Sequence, residues 1–212
     1  MYVGRIVAIG NTREGKLTAM YRVSARSFPN RKSVQIGETI AIIRKEEFEN
    51  DIYRNPYITY NCLRFTSRFA VVSNGTQTDP IFDKLDSGMN VRDAITTALF
   101  SLDYEHDHLK TPRIAAVIDR ENRTGALGIV RHDALLVRAF TPRAGEAYYL
   151  ATYEHNYPDD KYKDDGFNTS NAEEGCDYIL GKGIFANMEL PVSAACAIEV
   201  ENGFSIAHKT IR

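Results

Sequence analysis

The stretch Tyr21-Arg22-Val23-Ser24-Ala25-Arg26-Ser27-Phe28-Pro29-Asn30-Arg31 begins as a strand and ends as a turn. Alternate side chains of an extended segment share a face, so Arg22, Ser24 and Arg26 are predicted to point the same way. Pro29 ends the strand pattern and leaves Arg31 in the loop that follows. Guanidinium groups with hydroxyls between them suit a phosphate, because arginine offers a planar fork of donors. The stretch therefore predicts an anion-binding site, with an ordinary solvated strand face as the alternative.

The segments around this stretch predict antiparallel hairpins. Gly4 to Ile9 is largely apolar, and turn-forming residues separate it from Leu17 to Val23, its predicted hairpin partner. Glu38 to Ile43 predicts another strand. A second hairpin is predicted from Ile58 to Phe65 and Phe69 to Val72, because both segments are rich in aromatic and β-branched residues.

The rest of the chain predicts two helices and further strands. Asn90 is the predicted N-cap of a helix whose apolar stripe runs from Val91 to Leu102. The capping-box pattern Ser170-Asn171-Ala172-Glu173 predicts a second helix that continues through Leu180. The predicted loops are the turn Ser73-Asn74-Gly75 and the polar segments 46–55 and 157–169. The remaining predicted strands are Ile114 to Ile118, Ala126 to Val130, Leu135 to Phe140, Ala147 to Tyr153, Ala194 to Val200 and Phe204 to Ala207.

Hairpins outnumber crossover connections in this order of elements. Such connections produce largely antiparallel sheets, and the helices are then expected to pack outside them. No internal repeat, linker or low-complexity segment divides the chain. We predict a single α+β domain that spans residues 1–212.

The composition limits the possible partners. The chain has 26 basic and 28 acidic residues, whereas a sequence-independent nucleic-acid binder needs a basic surplus. We therefore expect no nucleic-acid partner. No apolar run approaches membrane-spanning length and no signal-peptide pattern is visible, so we expect a cytoplasmic protein without membrane contact. Cys62, Cys176 and Cys196 lack zinc-site spacing and are predicted to be reduced.

Two polar clusters could carry chemistry. Asp103-Tyr104-Glu105-His106-Asp107-His108 follows the first predicted helix, where the helix dipole raises carboxyl pKa values. Acid–base catalysis, a metal site and a solvated helix end are the three interpretations, although no further His/Asp pair completes a metal shell. The second cluster is Arg54-Asn55-Pro56-Tyr57-Ile58-Thr59-Tyr60-Asn61-Cys62, whose Tyr-Asn pair can orient a heterocyclic carboxamide. An ordinary strand edge is the alternative there, and Cys62 is predicted to be structural.

Six phrases of the sequence together resemble the archaeal-type IMP cyclohydrolases, in the same order across most of the chain. The resemblance implies a four-layer αββα architecture of largely antiparallel sheets, similar to the N-terminal nucleophile hydrolases. The start Met1-Tyr2 lacks the N-terminal Cys, Ser or Thr of those hydrolases, which implies that the fold serves other chemistry. Ala25 stands where this family leads us to expect serine. The phrases are residues 23–31, Arg54-Asn55-Pro56-Tyr57, Tyr60-Asn61-Cys62, Val72-Ser73-Asn74-Gly75, Asp103-Tyr104-Glu105 and Thr111-Pro112-Arg113-Ile114-Ala115-Ala116.

The reaction implied by this resemblance closes 5-formamidoimidazole-4-carboxamide ribonucleotide to inosine monophosphate (IMP), with loss of water. Nucleophile and electrophile already lie on one ring, so the enzyme has to align them and move protons. The implied ligand is a small purine nucleotide, no cofactor or metal is required, and we expect a homo-oligomer. An amidohydrolase of the same fold and a non-catalytic purine nucleotide-binding protein are the alternative functions.

The resemblance and the residue chemistry together assign candidate roles. Glu105, assisted by Tyr104, is predicted to transfer protons, because the helix dipole and neighbouring carboxylates favour its protonated form. Asp103 and Asp107 are the alternatives, since helix ends are uncertain by a residue or two. The other predicted site residues are Tyr60 and Asn61 at the base, and Arg22, Ser24, Arg26, Ser27, Asn30, Arg31, Asn74 and Arg113 for substrate binding.

Overall fold

A computed structural model describes residues 1–48 and 56–211. The polar segment that includes Arg54 and Asn55 therefore lies outside the described residues. Within the described ranges the chain has three α-helices: α1 (Thr78–Asp86), α2 (Val91–Leu102) and α3 (Ala172–Gly181). Its strands are β1 (Ile6–Asn11), β2 (Leu17–Ser24), β3 (Arg31–Ile36), β4 (Thr39–Arg44), β5 (Tyr60–Phe65), β6 (Phe69–Ser73), β7 (Arg113–Asp119), β8 (Thr124–Arg131), β9 (Ala134–Phe140), β10 (Glu146–Ala151), β11 (Lys163–Asp164), β12 (Pro191–Val200) and β13 (Gly203–Thr210).

The strands form two antiparallel sheets. The first sheet has the order β11-β10-β1-β2-β12-β13, and the second has the order β3-β4-β5-β6-β7-β8-β9. Strands β1 and β2, β5 and β6, and β12 and β13 pair as the predicted hairpins. The turn chemistry between apolar segments therefore predicted these pairings correctly.

The two sheets pack face to face, with helices on their outer faces. The central core contains inward-facing residues of both sheets, such as Val7 and Tyr21 from the first and Ile42 and Ile118 from the second. Apolar residues of α3 pack on the outer face of the first sheet. Those of α1 and α2 pack on the outer face of the second. This arrangement confirms the α+β prediction and its four layers, αββα.

Three elements differ from the predictions. The short strand β11 lies within the segment 157–169, which was predicted as a loop, and it pairs with β10. Arg31, predicted to lie in a loop, begins β3, which pairs with β4 from Arg31–Arg44 to Ile36–Thr39. Strand β2 already ends at Ser24, and Pro29 does not prevent a new strand from beginning two residues later. Helix α1 was not predicted, because Pro80 interrupts its pattern and no side chain caps its start. Proline is tolerated there because the first-turn N–H groups have no intrahelical partner.

The predicted helix starts are confirmed by side-chain caps. Asn90 accepts a hydrogen bond from the main-chain N–H of Asp93, and Asn171 accepts one from that of Glu174. The carboxylate of Glu174 reaches back to the N–H of Ser170 at 2.8 Å. The helix therefore begins one residue later than the predicted Ser-x-x-Glu pattern places it, and Glu174 binds the N–H before the N-cap rather than that of the N-cap itself. None of the helices in the described ranges is long and apolar enough to cross a membrane.

Candidate active site

A cleft opens at one end of the layer between the sheets. Antiparallel order brings the start of β1, the end of β2 and the end of β10 together at this end. Arg31, at the start of β3 in the second sheet, lines the same cleft. The loop between α2 and β7 covers the same end, and the cavity volume of the cleft is about 60 Å³. Its polar lining consists of Tyr2, Arg5, Ser24, Arg26, Ser27, Arg31, Asp107, His108, Thr111 and Tyr153.

A buried ion pair joins the cleft to the loop after α2. One guanidinium nitrogen of Arg5, Nη2, donates to both carboxylate oxygens of Glu105, at 3.2 and 3.1 Å. The Glu105 side chain is fully buried, and that of Arg5 is only 11% exposed. A buried carboxylate without such a partner would be costly, so each group depends on the other for its charge.

The loop folds on itself in a way that turns Glu105 inward. The N–H of Glu105 donates to the carbonyl of Thr111 at 2.8 Å. The carboxylate of Asp107 accepts from both the N–H and the hydroxyl of Thr111, at 2.9 and 2.8 Å. Asp103 caps the end of α2 with φ 56° and is about half exposed beside His106. Of the three carboxylates in this loop, Glu105 is the one that faces the arginines.

Arg5 is positioned by the entry into β1. Its N–H donates to Thr152 Oγ1 at 3.1 Å, and its carbonyl accepts from the N–H of Thr152 at 3.0 Å. The preceding residue, Gly4, has φ +75°, and a Cβ there would lie 2.0 Å from Thr152 Oγ1. Only glycine fits this position, because it tolerates the backbone angle and has no side chain to clash.

Two buried guanidinium nitrogens at the cleft have no hydrogen-bond partner among the described residues. Arg31 is 3% exposed and its Nε donates to the carbonyl of Phe28 at 3.0 Å. Its Nη1 and the Nε of Arg5 are buried without a hydrogen-bond partner in the described part of the chain. The Arg26 guanidinium is exposed and lies 4.1 Å from the centre of the Tyr2 ring. Buried donors without acceptors are costly, so this end of the cleft suits an anion.

Two phenols lie between the sheets beside these arginines. The hydroxyls of Tyr21 and Tyr60 are 2.6 Å apart, and the side chains are almost fully buried. Burial raises the pKa of both phenols, so both stay protonated at neutral pH. The hydrogen bond between the two hydroxyls uses only one of the two phenolic protons. The other proton is available to a further acceptor.

The protonation of Glu105 is a balance between burial and neighbouring charge. Burial raises the pKa of this carboxyl above its ordinary value, while the positive charges of Arg5 and Arg113 lower it in part. The repulsion from Asp107 adds only a smaller upward effect. The pKa of Glu105 is therefore raised, as predicted, but the main cause is desolvation rather than the neighbouring carboxylates.

Arg22 does not lie at the cleft. It shares its strand face with Ser24, as predicted, and its Nε donates to Ser24 Oγ at 2.9 Å. That face meets α3 instead, and the guanidinium is completely buried. Its donors go to the main-chain carbonyls of Ile179, Leu180, Phe185, Met188 and Glu189, at 2.6 to 3.5 Å.

The Tyr-Asn pair is also divided. Tyr60 faces the central core, whereas Asn61 donates to both carboxylate oxygens of Asp79 on α1, at 3.0 and 3.1 Å. Successive strand residues point to opposite faces, so the two cannot line one site. Cys62 shares the face of Tyr60 and is fully buried, and burial raises the pKa of its thiol well above the ordinary value.

Three other candidates also have structural partners away from the cleft lining. Tyr104 packs on the ring of His106, with 4.5 Å between the ring centroids, and is partly exposed. The amide of Asn74 is held by the main chain of Pro112 and Ile114. Asn30 accepts the N–H of Lys45 with its carbonyl. Arg113 is buried behind the cleft lining, where its charge acts on Glu105.

Sequence reasoning missed several residues of the site. Arg5 precedes an apolar strand, and nothing in that local sequence indicates a partner 100 positions away. Tyr21 was available from the strand pattern, because it alternates with Val23 and Ala25 on the inward face. Gln77 follows the predicted turn Ser73-Asn74-Gly75 and is the N-cap of α1, a helix that the sequence did not predict. In the described ranges, no group of three or more His, Cys, Asp or Glu residues is arranged to hold a metal ion.

Comparison with known proteins agrees with this architecture. A family model described as IMP cyclohydrolase-like protein matches residues 2–203. A protein named IMP cyclohydrolase from Methanosphaera stadtmanae is 43% identical over 197 residues, which cover 93% of this chain and 94% of the relative. Another of that name from Methanocaldococcus jannaschii is 44% identical over 210 residues, 99% of each chain. These matches confirm the resemblance, and the chain belongs to the IMP cyclohydrolase-like family.

Proposed function

We propose that this protein closes 5-formamidoimidazole-4-carboxamide ribonucleotide to IMP, the ring closure that completes this purine nucleotide. The carboxamide nitrogen attacks the formyl carbon, and the carbinolamine that forms then loses its hydroxyl and a proton as water. In the reverse direction the same reaction hydrolyses a C–N bond of a cyclic amidine. The observation that carries the proposal is a buried Arg5–Glu105 pair beside unpaired arginine donors, in a chain of this family.

The arginines are the proposed phosphate site. Arg31 Nη1 and Arg5 Nε are buried donors without partners in the described residues, and Arg26 adds an exposed positive charge. Ser24 and Ser27 lie in the same lining. A phosphate with several acceptor oxygens satisfies such donors, and the contact is stronger than one between neutral groups. Arg22 and Asn61 have no place in this proposal, because their donors are engaged elsewhere.

Glu105 is the proposed proton-transfer group. A carboxyl with a raised pKa accepts the amide proton and returns it to the departing hydroxyl more readily than an ordinary one. Glu105 is paired with a cation, Arg5, whereas both oxygens of Asp107 are engaged by the neutral Thr111, and this difference favours Glu105 over that neighbour. Because Glu105 is fully buried, the loop 103–111 has to shift for the substrate to touch it. The protonated Tyr21–Tyr60 pair is the proposed donor to the formyl oxygen.

An absorbance assay with the formamido substrate tests this function directly. We expect saturable turnover to IMP by the purified chain, with the stoichiometric loss of the formamido compound. Binding of IMP without any turnover would instead support a nucleotide-binding protein. An amidohydrolase with Cys62 as nucleophile predicts that Cys62→Ala is inactive, whereas we expect this variant to retain substantial turnover because the thiol is buried.

A further inference from the structure

A buried chain of polar side chains lies behind the cleft, outside the reaction as proposed above. It consists of Asn74, Gln77 and Arg113. Gln77 is fully buried and occupies the N-cap position of α1, yet its side chain makes no capping hydrogen bond. Burying an amide in this position is costly unless all of its groups find partners. The amide of Gln77 therefore forms its hydrogen bonds with groups other than the N–H groups of the helix start.

The hydrogen bonds determine which way both amides face. The main-chain N–H of Ile114 donates to Asn74 Oδ1 at 2.7 Å, and Asn74 Nδ2 donates to the carbonyl of Pro112 at 2.9 Å. Gln77 Nε2 in turn donates to Asn74 Oδ1 at 2.8 Å and to the carbonyl of Ile114 at 3.0 Å. Both of those partners are acceptors, so the nitrogen of Gln77 cannot exchange places with its oxygen.

The remaining oxygen of Gln77 meets Arg113. Nη1 of Arg113 donates to Gln77 Oε1 at 3.2 Å, in a contact that both side chains make while buried. The neighbouring Gly75 leaves room for it, because a Cβ there would lie 2.6 Å from Gln77 Oε1 and 2.7 Å from Arg113 Nη1. The guanidinium also lies 5.3 Å from the centre of the Tyr57 ring. Arg113 is thus held from one side by a fixed amide.

We propose that Gln77 is a positioning residue, which orients the Arg113 guanidinium so that its positive charge acts on Glu105. The inference rests on the proposed role of Glu105 as the proton-transfer group. Four charged groups act on this carboxyl: Arg5 from the start of β1, Arg31 from β3, Arg113 from β7, and Asp107 from its own loop. Of these, Arg113 is the one whose orientation depends on Gln77.

Titration of Glu105 by carbon NMR, in protein with labelled glutamate side chains, measures this effect without turnover. Glu105→Gln identifies the signal. In Gln77→Met the shape of the side chain is kept and the acceptor is lost, so we expect the Glu105 midpoint to rise by about 0.5–1 pH unit. Arg113→Gln should raise it as well. Gln35→Met, at an exposed glutamine whose amide nitrogen donates to the carbonyl of Gly37, is the matched control and should leave the midpoint unchanged.

The double variant Gln77→Met/Arg113→Gln separates positioning from general damage. If Gln77 acts through Arg113, its substitution adds no further shift once the charge is gone. An unchanged midpoint in Gln77→Met beside a raised one in Arg113→Gln would overturn the inference. If Gln77→Met does not fold, Gln77→Asn, whose shorter amide cannot span Asn74 and Arg113, gives the same comparison. Normal turnover in Glu105→Gln would refute the proposed proton-transfer role of Glu105 alone, because the titration is independent of catalysis.

Discussion

Glu105 shows how a single residue can satisfy two opposing requirements. It is fully buried, which favours the neutral carboxyl, and it is bound by Arg5, which favours the carboxylate. The pKa that results lies above the ordinary value without the pairing being lost. A group in this position changes its protonation state at a smaller cost than an exposed glutamate does. That property is what reversible proton transfer in a ring closure requires.

Replacing the titrating group should therefore abolish most of the turnover. In Glu105→Gln we expect kcat to fall about 10²–10⁴-fold while the affinity for IMP is largely retained. In the wild type, kcat should decrease as the pH falls through the raised pKa, because the carboxylate is then lost, and Glu105→Gln should lack this limb. Steady-state rates across pH provide the measurement, with the exposed Glu38→Gln as control. Full activity in Glu105→Gln would assign the proton transfer to another group.

Arg31 has a different function, and its substitution should affect binding. In Arg31→Met we expect the affinity for IMP to weaken by about 2–4 kcal/mol, since the phosphate loses a buried, charged hydrogen-bond donor. Calorimetric titration measures this directly. Arg92→Met removes an exposed guanidinium on α2 and should bind normally. Equal affinities in the two variants would place the phosphate elsewhere.

At the scale of elements, local sequence patterns predicted the features that residues close in sequence determine, namely hairpins and helix starts. The hairpins β1–β2 and β12–β13 follow from turn residues between apolar segments, and Asn90 marks the start of α2. Local sequence patterns do not predict which layer packs against each face of a strand. Arg22 and Ser24 do share a face, but the Arg22 guanidinium is covered by α3, whereas Ser24, nearer the end of the strand, lines the cleft. The choice is made by long-range packing.

The glycine requirement at Gly4, before β1, can be tested without changing any charged residue. In Gly4→Ala a methyl group would clash with Thr152 Oγ1 and force a left-handed backbone on alanine, so Arg5 would be displaced. Gly37→Ala shares the positive φ but meets nothing within 4 Å. We expect Gly37→Ala to cost about 1–2 kcal/mol of unfolding free energy and Gly4→Ala distinctly more. Urea unfolding of both variants measures the difference. Equal losses of unfolding free energy would show that the backbone angle alone accounts for the glycine requirement at position 4.

At the scale of the whole molecule, stability depends on how the layers are joined. The central core is apolar and joins the two sheets, whereas the contact between the first sheet and α3 includes a buried cation. Arg22 of β2 donates to carbonyls at the C-terminal end of α3 and in the segment up to Glu189. The carbonyls of Ile179 and Leu180 carry the partial negative charge of the helix end, which a cation complements. Burial lowers the pKa of Arg22 to about 10, so it remains charged at neutral pH.

Removing this contact should lower stability and leave ligand affinity intact. Arg22→Met leaves several buried carbonyls without a donor but also removes the cost of burying a charge. We expect the first effect to be larger, with a loss of about 2–4 kcal/mol of unfolding free energy in denaturant titrations. Arg22→Lys keeps the charge with one nitrogen and should recover only part of the loss. IMP affinity below the unfolding transition should match the wild type, since the guanidinium does not line the cleft. An Arg22→Met variant as stable as the wild type would mean that desolvation of the guanidinium outweighs its hydrogen bonds.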